Sequence, residues 1–362
     1  MRRVLVFLWL AVLTASPGAR AAAPSIISNL ANPAIGVNGL FLCQGAPDLD
    51  QAYGMRPGEA EISVISTVDP YWTLTVYFVL DAQSALAEEA FATTTKIPGV
   101  TLKLGQLRAS FGKHGLLHTH AFPFVQAPVI SVNTLGEEGF KDAGAEAAWM
   151  TPLPWFCELT LGAYQALPAD PDHALDFGAV SRGNMPGLAH LKNLVDVDDD
   201  TTLEVGGSAI EGLGSDGMHH AVWGADLTVR NVPLRQSNER GWTVQAEFLH
   251  KEAYGGGVYD QEAFGWYGSL QYRWAQTWWT GVRVQEAYRS FTDTLLDSTG
   301  TPEPGYTRGA SANISYLPSE FSQIRLEYSA LRATGVDGSR ALDRRLMLQF
   351  SFIIGFHALH AY

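Results

Sequence analysis

The sequence predicts an all-β protein, a transmembrane antiparallel β-barrel of about sixteen strands. Three observations predict it. The first is the stretch Arg345 to Phe356. Leu346, Leu348, Phe350, Phe352, Ile354 and Phe356 fall on one parity, and Met347, Gln349, Ser351, Gly355 and His357 on the other. Period two is the signature of a strand, and this apolar face persists for about the 9–11 residues a tilted strand needs to cross a bilayer. The second is the recurrence of such alternating segments along the chain. The third is that the connections between them alternate between tight and long, as they do when short turns line one rim of a barrel and loops the other.

Composition agrees. The 362 residues carry a net charge of -13 and are 46% hydrophobic, and 17% are charged, against about 25% in soluble domains. The acidic balance excludes nucleic acid as a partner, which calls for basic patches. Arg2 and Arg3, the apolar run Val4 to Leu13 and the Ala19-Arg20-Ala21 site predict a signal peptide over 1–21. That leaves 22–362 as one barrel domain. No apolar run reaches the roughly 20 residues of a spanning helix. Cys43 and Cys157 read as two inert small residues.

In order, strands are expected at Asn32 to Leu42, Glu59 to Val68, Tyr71 to Leu80 and Ser84 to Thr94. Within the last of these, Ala85 to Ala90 favours helix on propensity. Gly99 to Arg108, Lys141 to Met150, Trp155 to Tyr164, Gly187 to Val195, Thr201 to Ile210 and His219 to Arg230 follow. Gly241 to Lys251, Glu262 to Trp274, Thr277 to Tyr288, Tyr306 to Tyr316, Phe321 to Leu331 and Asp343 to Phe356 complete the set. Tight connections such as Asp69-Pro70 and Ala275-Gln276 interleave with long ones, among them Gln44 to Gly58 and Gln165 to Pro186. Asp81 to Gln83 and Asn231 to Arg240 break the alternation. Trp72, Trp155, Trp274, Trp278, Trp279 and Tyr316 flank the tight turns, where amphipathic rings suit a bilayer interface.

If the apolar parity faces lipid, the other lines a lumen. It carries Lys103, Arg230, Arg273, Arg283 and Arg325 with Glu158, Glu204, Asp226, Glu247 and Glu327. A mixed-charge polar lining in a barrel of this size leaves an aqueous channel. The longest loop, Ala109 to Phe140, holds Lys113, His114, His118 and His120. It either enters the pore as a constriction or caps its mouth. Imidazoles ligate zinc, so His114, His118 and His120 are a candidate metal set, with His173, His219 and His220 in other outer loops. Otherwise no cofactor is expected. Asp196 to Asp200 lacks the Gly and Glu of a calcium loop and reads as a solvated turn. No G-x-S-x-G occurs, and no catalytic set can be assigned, so an enzyme is not expected.

Gly105-Gln-Leu-Arg108-Ala-Ser-Phe-Gly112 resembles the G-x-[FL]-[RK]-x-x-[FY]-G segment of phosphate-selective-porin-like proteins. Leu116 to Val125, Leu135 to Gly139, Pro152 to Trp155, Tyr316 to Ser322 and Ile354 to His357 resemble one bacterial branch of that group. Its members are labelled porin, zinc-regulated outer-membrane receptor or TonB-dependent receptor. The resemblance implies an outer-membrane barrel of about sixteen strands that could assemble as a homotrimer. The residues after Ala21 are too few for a plug inside a barrel of about 22 strands, and no ladder of Lys and Arg marks a phosphate path. The expected function is passive diffusion of small hydrophilic solutes or ions through a bacterial outer-membrane porin. The alternatives are a zinc-linked uptake channel and a non-transporting surface barrel that binds partners through its outer loops. Expected partners are outer-membrane lipid, lipopolysaccharide and, through the C-terminal strand, the barrel-assembly machinery.

Overall fold

Alternating sequence becomes strand here because each stave has lipid on one side and a polar interior on the other. On the last strand, Leu346, Phe352 and Ile354 are 53%, 45% and 69% exposed, while Met347, Gln349 and Ser351 are 0%, 4% and 6% exposed. Greasy side chains outside and polar ones inside invert a soluble protein, and a bilayer makes that favourable.

The structure, a computed structural model, describes residues 33–46, 54–56, 58–81, 84–166, 175, 177, 184–214, 216–234, 239–289, 304–335 and 338–355. The segment 1–21, His173 and the C-terminal Phe356, His357 and Tyr362 lie outside them.

The strands are β1 (Ala34–Gly45), β2 (Gly54–Arg56), β3 (Ala60–Thr67), β4 (Thr73–Leu80), β5 (Ala85–Ile97) and β6 (Val100–Arg108). Then come β7 (Lys141–Met150), β8 (Phe156–Tyr164), β9 (Gly187–Asp196), β10 (Thr201–Leu213), β11 (His219–Asn231) and β12 (Gly241–Gly255). β13 (Val258–Ala275), β14 (Trp278–Arg289), β15 (Pro304–Ser319), β16 (Ser322–Gly335) and β17 (Arg340–Gly355) complete the wall. From β3 onward each pairs antiparallel with the next, and β1 closes the ring on β17 from Gly36↔Gly355 to Gly45↔Leu346. Both β2 and β3 pair with β1, so together they are one interrupted stave, and the barrel has sixteen. The break falls at Gly58, where a Cβ would lie 1.4 Å from the Leu40 carbonyl oxygen. The expected loop Gln44 to Gly58 is thus partly strand.

The helix-prone run Ala85 to Ala90 is strand. Ladder hydrogen bonds to β4 and β6 override a propensity of a few tenths of a kcal/mol per residue. The mixed signal has a structural counterpart. Tyr77 pairs with Glu89 but Phe78 pairs with Ala87, so Glu88 is the extra residue of a β-bulge. The bulge turns two successive carboxylates, Glu88 and Glu89, to the same interior side, where both are buried.

Aromatic side chains ring the short-turn rim. Trp274 stacks on Trp278 at 5.7 Å, Trp278 meets Tyr316 at 4.8 Å, and Trp149 and Trp155 are exposed on the same side. Cys43 and Cys157 are free thiols.

Candidate channel constriction

Residues 109–140 begin and end together, Ala109 N–H donating to the Phe140 carbonyl at 2.8 Å. Between those ends the expected irregular stretch contains two short 3-10 turns and a helix, α1 (Val129–Leu135). This β-branched run is a poor helix former, yet Pro128 caps it, Gly136 ends it at φ 93°, and Ile130 and Leu135 are buried. They pack with Phe111, Phe140, Tyr164, Leu249 and Tyr267 in an apolar cluster between the loop and the inner wall. Tertiary burial, not propensity, forms the helix.

On one side the loop is tied to β10 through β16. Gly112 N–H donates to Ser208 Oγ at 2.9 Å, and Lys113 and His114 N–H donate to the two Glu247 oxygens at 3.0 and 3.3 Å. Tyr267 hydroxyl donates to the same carboxylate at 2.9 Å. Lys113 Nζ reaches Glu204 at 2.7 Å. Further along, Arg325 donates to Phe122 O at 2.8 Å, Asn313 to Pro123 O at 3.0 Å, and Val125 N–H to Glu327 at 2.8 Å. Arg283 donates to Gln126 O at 2.7 Å with its guanidinium 4.7 Å from the Phe124 ring centre.

On the other side the loop meets β3, β4 and β5. His118 Nδ1 lies 2.8 Å from Glu61, its Nε2 lies 3.1 Å from Glu89, and its ring is 4.6 Å from that of Tyr77. Touching both arcs of the wall, the segment crosses the lumen.

Arg108, at the foot of the loop, organises this second arc. Its guanidinium lies 2.5 Å from Glu88, 3.5 Å from Glu89 and 3.7 Å from Glu138, and it donates to the Leu117 carbonyl. Lys141 reaches Glu88 at 2.8 Å and Glu138 at 2.7 Å. Burial and Arg108 push the His118 imidazole down, but Glu61, Glu88 and Glu89 outweigh them and hold its pKa well above the usual 6.5. The stabilisation from a raised histidine is complete below about pH 6.5, its unfolded value, and is lost as pH rises through the folded value. The urea midpoint of the folded barrel should therefore fall with alkalinity above pH 6.5, and His118→Gln should flatten that slope. A wild-type midpoint that does not fall would count against the pairing.

His114 behaves differently. Burial first, then Arg283 and Arg108, push its pKa down to about 3. It packs 4.4 Å from Phe122 and 6.4 Å from Tyr267. His120 lies 5.8 Å from the His118 ring, its Nδ1 3.5 Å from Glu61. The three loop histidines are therefore not one cluster. His114 faces β13, while His118 and His120 face β3, because the loop crosses between them. The group compact enough for an ion among the described residues is Glu61, Glu88 and His118, with ligand atoms within 4.8 Å of one another. Arg108 already places a cation there.

The other sequence-selected wall residues also face inward. Lys103 sits opposite Glu146 with its amine 5.7 Å from the Phe91 ring centre. Glu158 pairs with Lys192, and Asp226 with Glu247. Arg230 lies toward the short-turn end of β11, and Arg273 donates to Gln276 O at that rim.

No family model matches the chain. An uncharacterized protein of Aquifex aeolicus (strain VF5) is 26% identical over 349 residues, 87% of this chain and 71% of that one. Among solved structures, OprB of Pseudomonas putida superposes with a TM-score of 0.63 at 9% identity, over 89% of this chain and 94% of OprB. The outer membrane channel DcaP of Acinetobacter baumannii gives 0.59 at 10%, over 89% and 97%. The trimer form of the Vibrio cholerae outer membrane protein OmpT gives 0.55 at 10%, over 89% and 99%. The fold is that of a sixteen-stranded outer-membrane porin. With its apolar outer wall, this porin-type barrel belongs in the bacterial outer membrane.

Several residues of the constriction escape sequence reading. Glu61, Glu88, Glu89 and Lys141 carry no motif, and Glu138 lies in the resemblance segment Leu135 to Gly139. They converge because β3 to β7 are neighbouring antiparallel strands with the loop folded back over them. Arg108 had a signal, lying inside the resemblance segment Gly105 to Gly112. Both glycines of that segment have left-handed backbone, φ 137° at Gly105 and 61° at Gly112. A Cβ on Gly112 would lie 2.0 Å from Glu247 Oε1. Gly112→Ala should cost roughly 1–2 kcal/mol in backbone strain, and more through displacing Glu247 from the loop amides. A lowered urea midpoint is the expected readout, and an unchanged one would contradict the geometry.

Proposed function

We propose that this porin-type barrel lets small hydrophilic solutes or ions diffuse passively across the outer membrane, through a lumen narrowed by residues 109–140. The observation that carries this reading is the course of that segment, held at β3 and β5 on one arc and at β12 on the facing one. Of the wall charges, Glu204, Glu247, Arg283, Arg325 and Glu327 serve as its anchors. Lys103, Glu158, Arg230 and Arg273 are left to face the permeant. Their mixed signs do not favour phosphate. Catalysis and a cofactor form no part of the reading. A homotrimer is the expected assembly, in keeping with the trimer form of OmpT. Lipopolysaccharide and the assembly machinery, the latter through β17, are the expected partners.

Discrete current steps from the purified, refolded barrel in planar bilayers are the expected result. A folded barrel that passes no current would overturn the reading in favour of a surface protein binding through its outer loops. Zinc-linked uptake is the second reading, favoured by Glu61, Glu88 and His118. Zinc titration of the conductance separates the two, and an effect abolished by His118→Gln would favour the metal.

A further inference from the structure

The outer wall of β13 to β17 carries a row of side chains that neither lumen nor loop explains. Cross-strand pairing places Trp266 beside Glu286, Glu286 beside Arg308, Arg308 beside Arg332, and Arg332 beside Leu342. All share the outward parity of the lipid-facing Val284 and Leu326. Arg344, also exposed, stands one step below on β17, opposite Ala330. A groove of about 400 Å³ opens here, lined by Arg308 and Arg332 with Glu286 and Gln285, by Gly309 and Ala330 as its floor, and by Trp266, Val284 and Leu342 as apolar flanks.

Two features say what fits. Like charges directly opposite on neighbouring strands repel. The acid of the row, Glu286, stands opposite Arg308 and accepts from the Tyr306 hydroxyl, whereas Arg332 is set between Arg308 and Leu342 with no acid directly across either strand. A chain with a net charge of -13 nonetheless gathers three arginines on this patch of wall. The second feature is depth. Ile324, Leu326 and Tyr328 carry the apolar wall of β16 up from its short turn. Rising ~3.3 Å per residue at a ~40° tilt, Arg332 stands about 20 Å above Ile324, at the upper edge of an apolar band ~25 Å tall. Guanidinium forks match phosphate oxygens in pairs, and the small-residue floor beneath them suits the root of an acyl chain.

We propose that this groove binds the phosphate-bearing headgroup of an outer-leaflet lipid, with Arg308 and Arg332 holding phosphate and the Gly309–Ala330 floor receiving the first acyl carbons. The inference rests on outer-membrane placement and not on channel activity. The test is native mass spectrometry of the detergent-solubilised full barrel incubated with bisphosphorylated lipid A, its dephosphorylated form, or inorganic phosphate. The expected result is at least tenfold greater retention of the bisphosphorylated lipid, with that preference lost in Arg308→Gln/Arg332→Gln. Arg332→Gln alone, which leaves the Arg308 contact to Tyr306 in place, should lose most of it. Conductance and the heat-modified gel shift should not change. Equal retention of the two lipids, or an undiminished preference in both variants, would overturn the proposal. Displacement by millimolar inorganic phosphate would assign the groove to a soluble anion. Loss of an oligomer in the variants would assign the face to a second copy of the chain.

Discussion

Replacing residues 113–138 with a short flexible linker should raise single-channel conductance several-fold, the largest change expected from any single alteration. The segment crosses the lumen and is held at Glu247, Asn313, Arg325 and Glu327. Removing it also takes Ile130 and Leu135 out of the apolar cluster against the inner wall. The barrel should survive. Its ladder closes without the loop, from β1 on β17 to β6 on β7, and the anchor charges would then face water, where ionised groups are well solvated. Conductance and a heat-modifiability gel would be read on the same preparation. A folded deletion variant with wild-type conductance would show that the loop does not limit the pore.

Arg108→Met should be the most destabilising point substitution. The guanidinium is 3% exposed, and Glu88 and Glu89 beside it are 6% and 7% exposed. Removing one member of a buried ionic set leaves charge without its counterion, at about 3–5 kcal/mol. Lys141 and the His118 imidazolium remain to offset part of that. Loss of the guanidinium also frees Leu117 O and unties the loop from β5. Arg108→Lys keeps the charge but not the fork that spans Glu88 and Glu89, so it should fall between the two. Urea midpoints of the three proteins are the measurement, and a wild-type midpoint for Arg108→Met would refute the anchoring role.

The wall was legible residue by residue. Each of the sixteen expected segments coincides with a stave, because the alternation of lipid-facing and interior side chains is local and written every second residue. Ser84 to Thr94, where Ala85 to Ala90 favours helix on propensity, is strand as expected, but its bulge at Glu88 shows only in the structure. The course of the long loop was not legible. Its length and histidines suited a pore constriction or a cap equally, and α1 runs against propensity. Glu61, Glu88 and Glu138 gave no hint that they meet, since they approach through Arg108, Lys141 and His118.

Alternation, turn spacing and aromatic placement, all short-range properties of the chain, determined the barrel, its strand number and its membrane setting. Closure of β1 on β17 decided the rest. It set β3–β5 and β12–β13 on opposite arcs of one lumen, so that the buried carboxylates and guanidiniums of the wall found partners on the loop between them. Desolvated charge accepts few arrangements, and which one it takes depends on residues far apart in sequence that only the closed ring sets face to face.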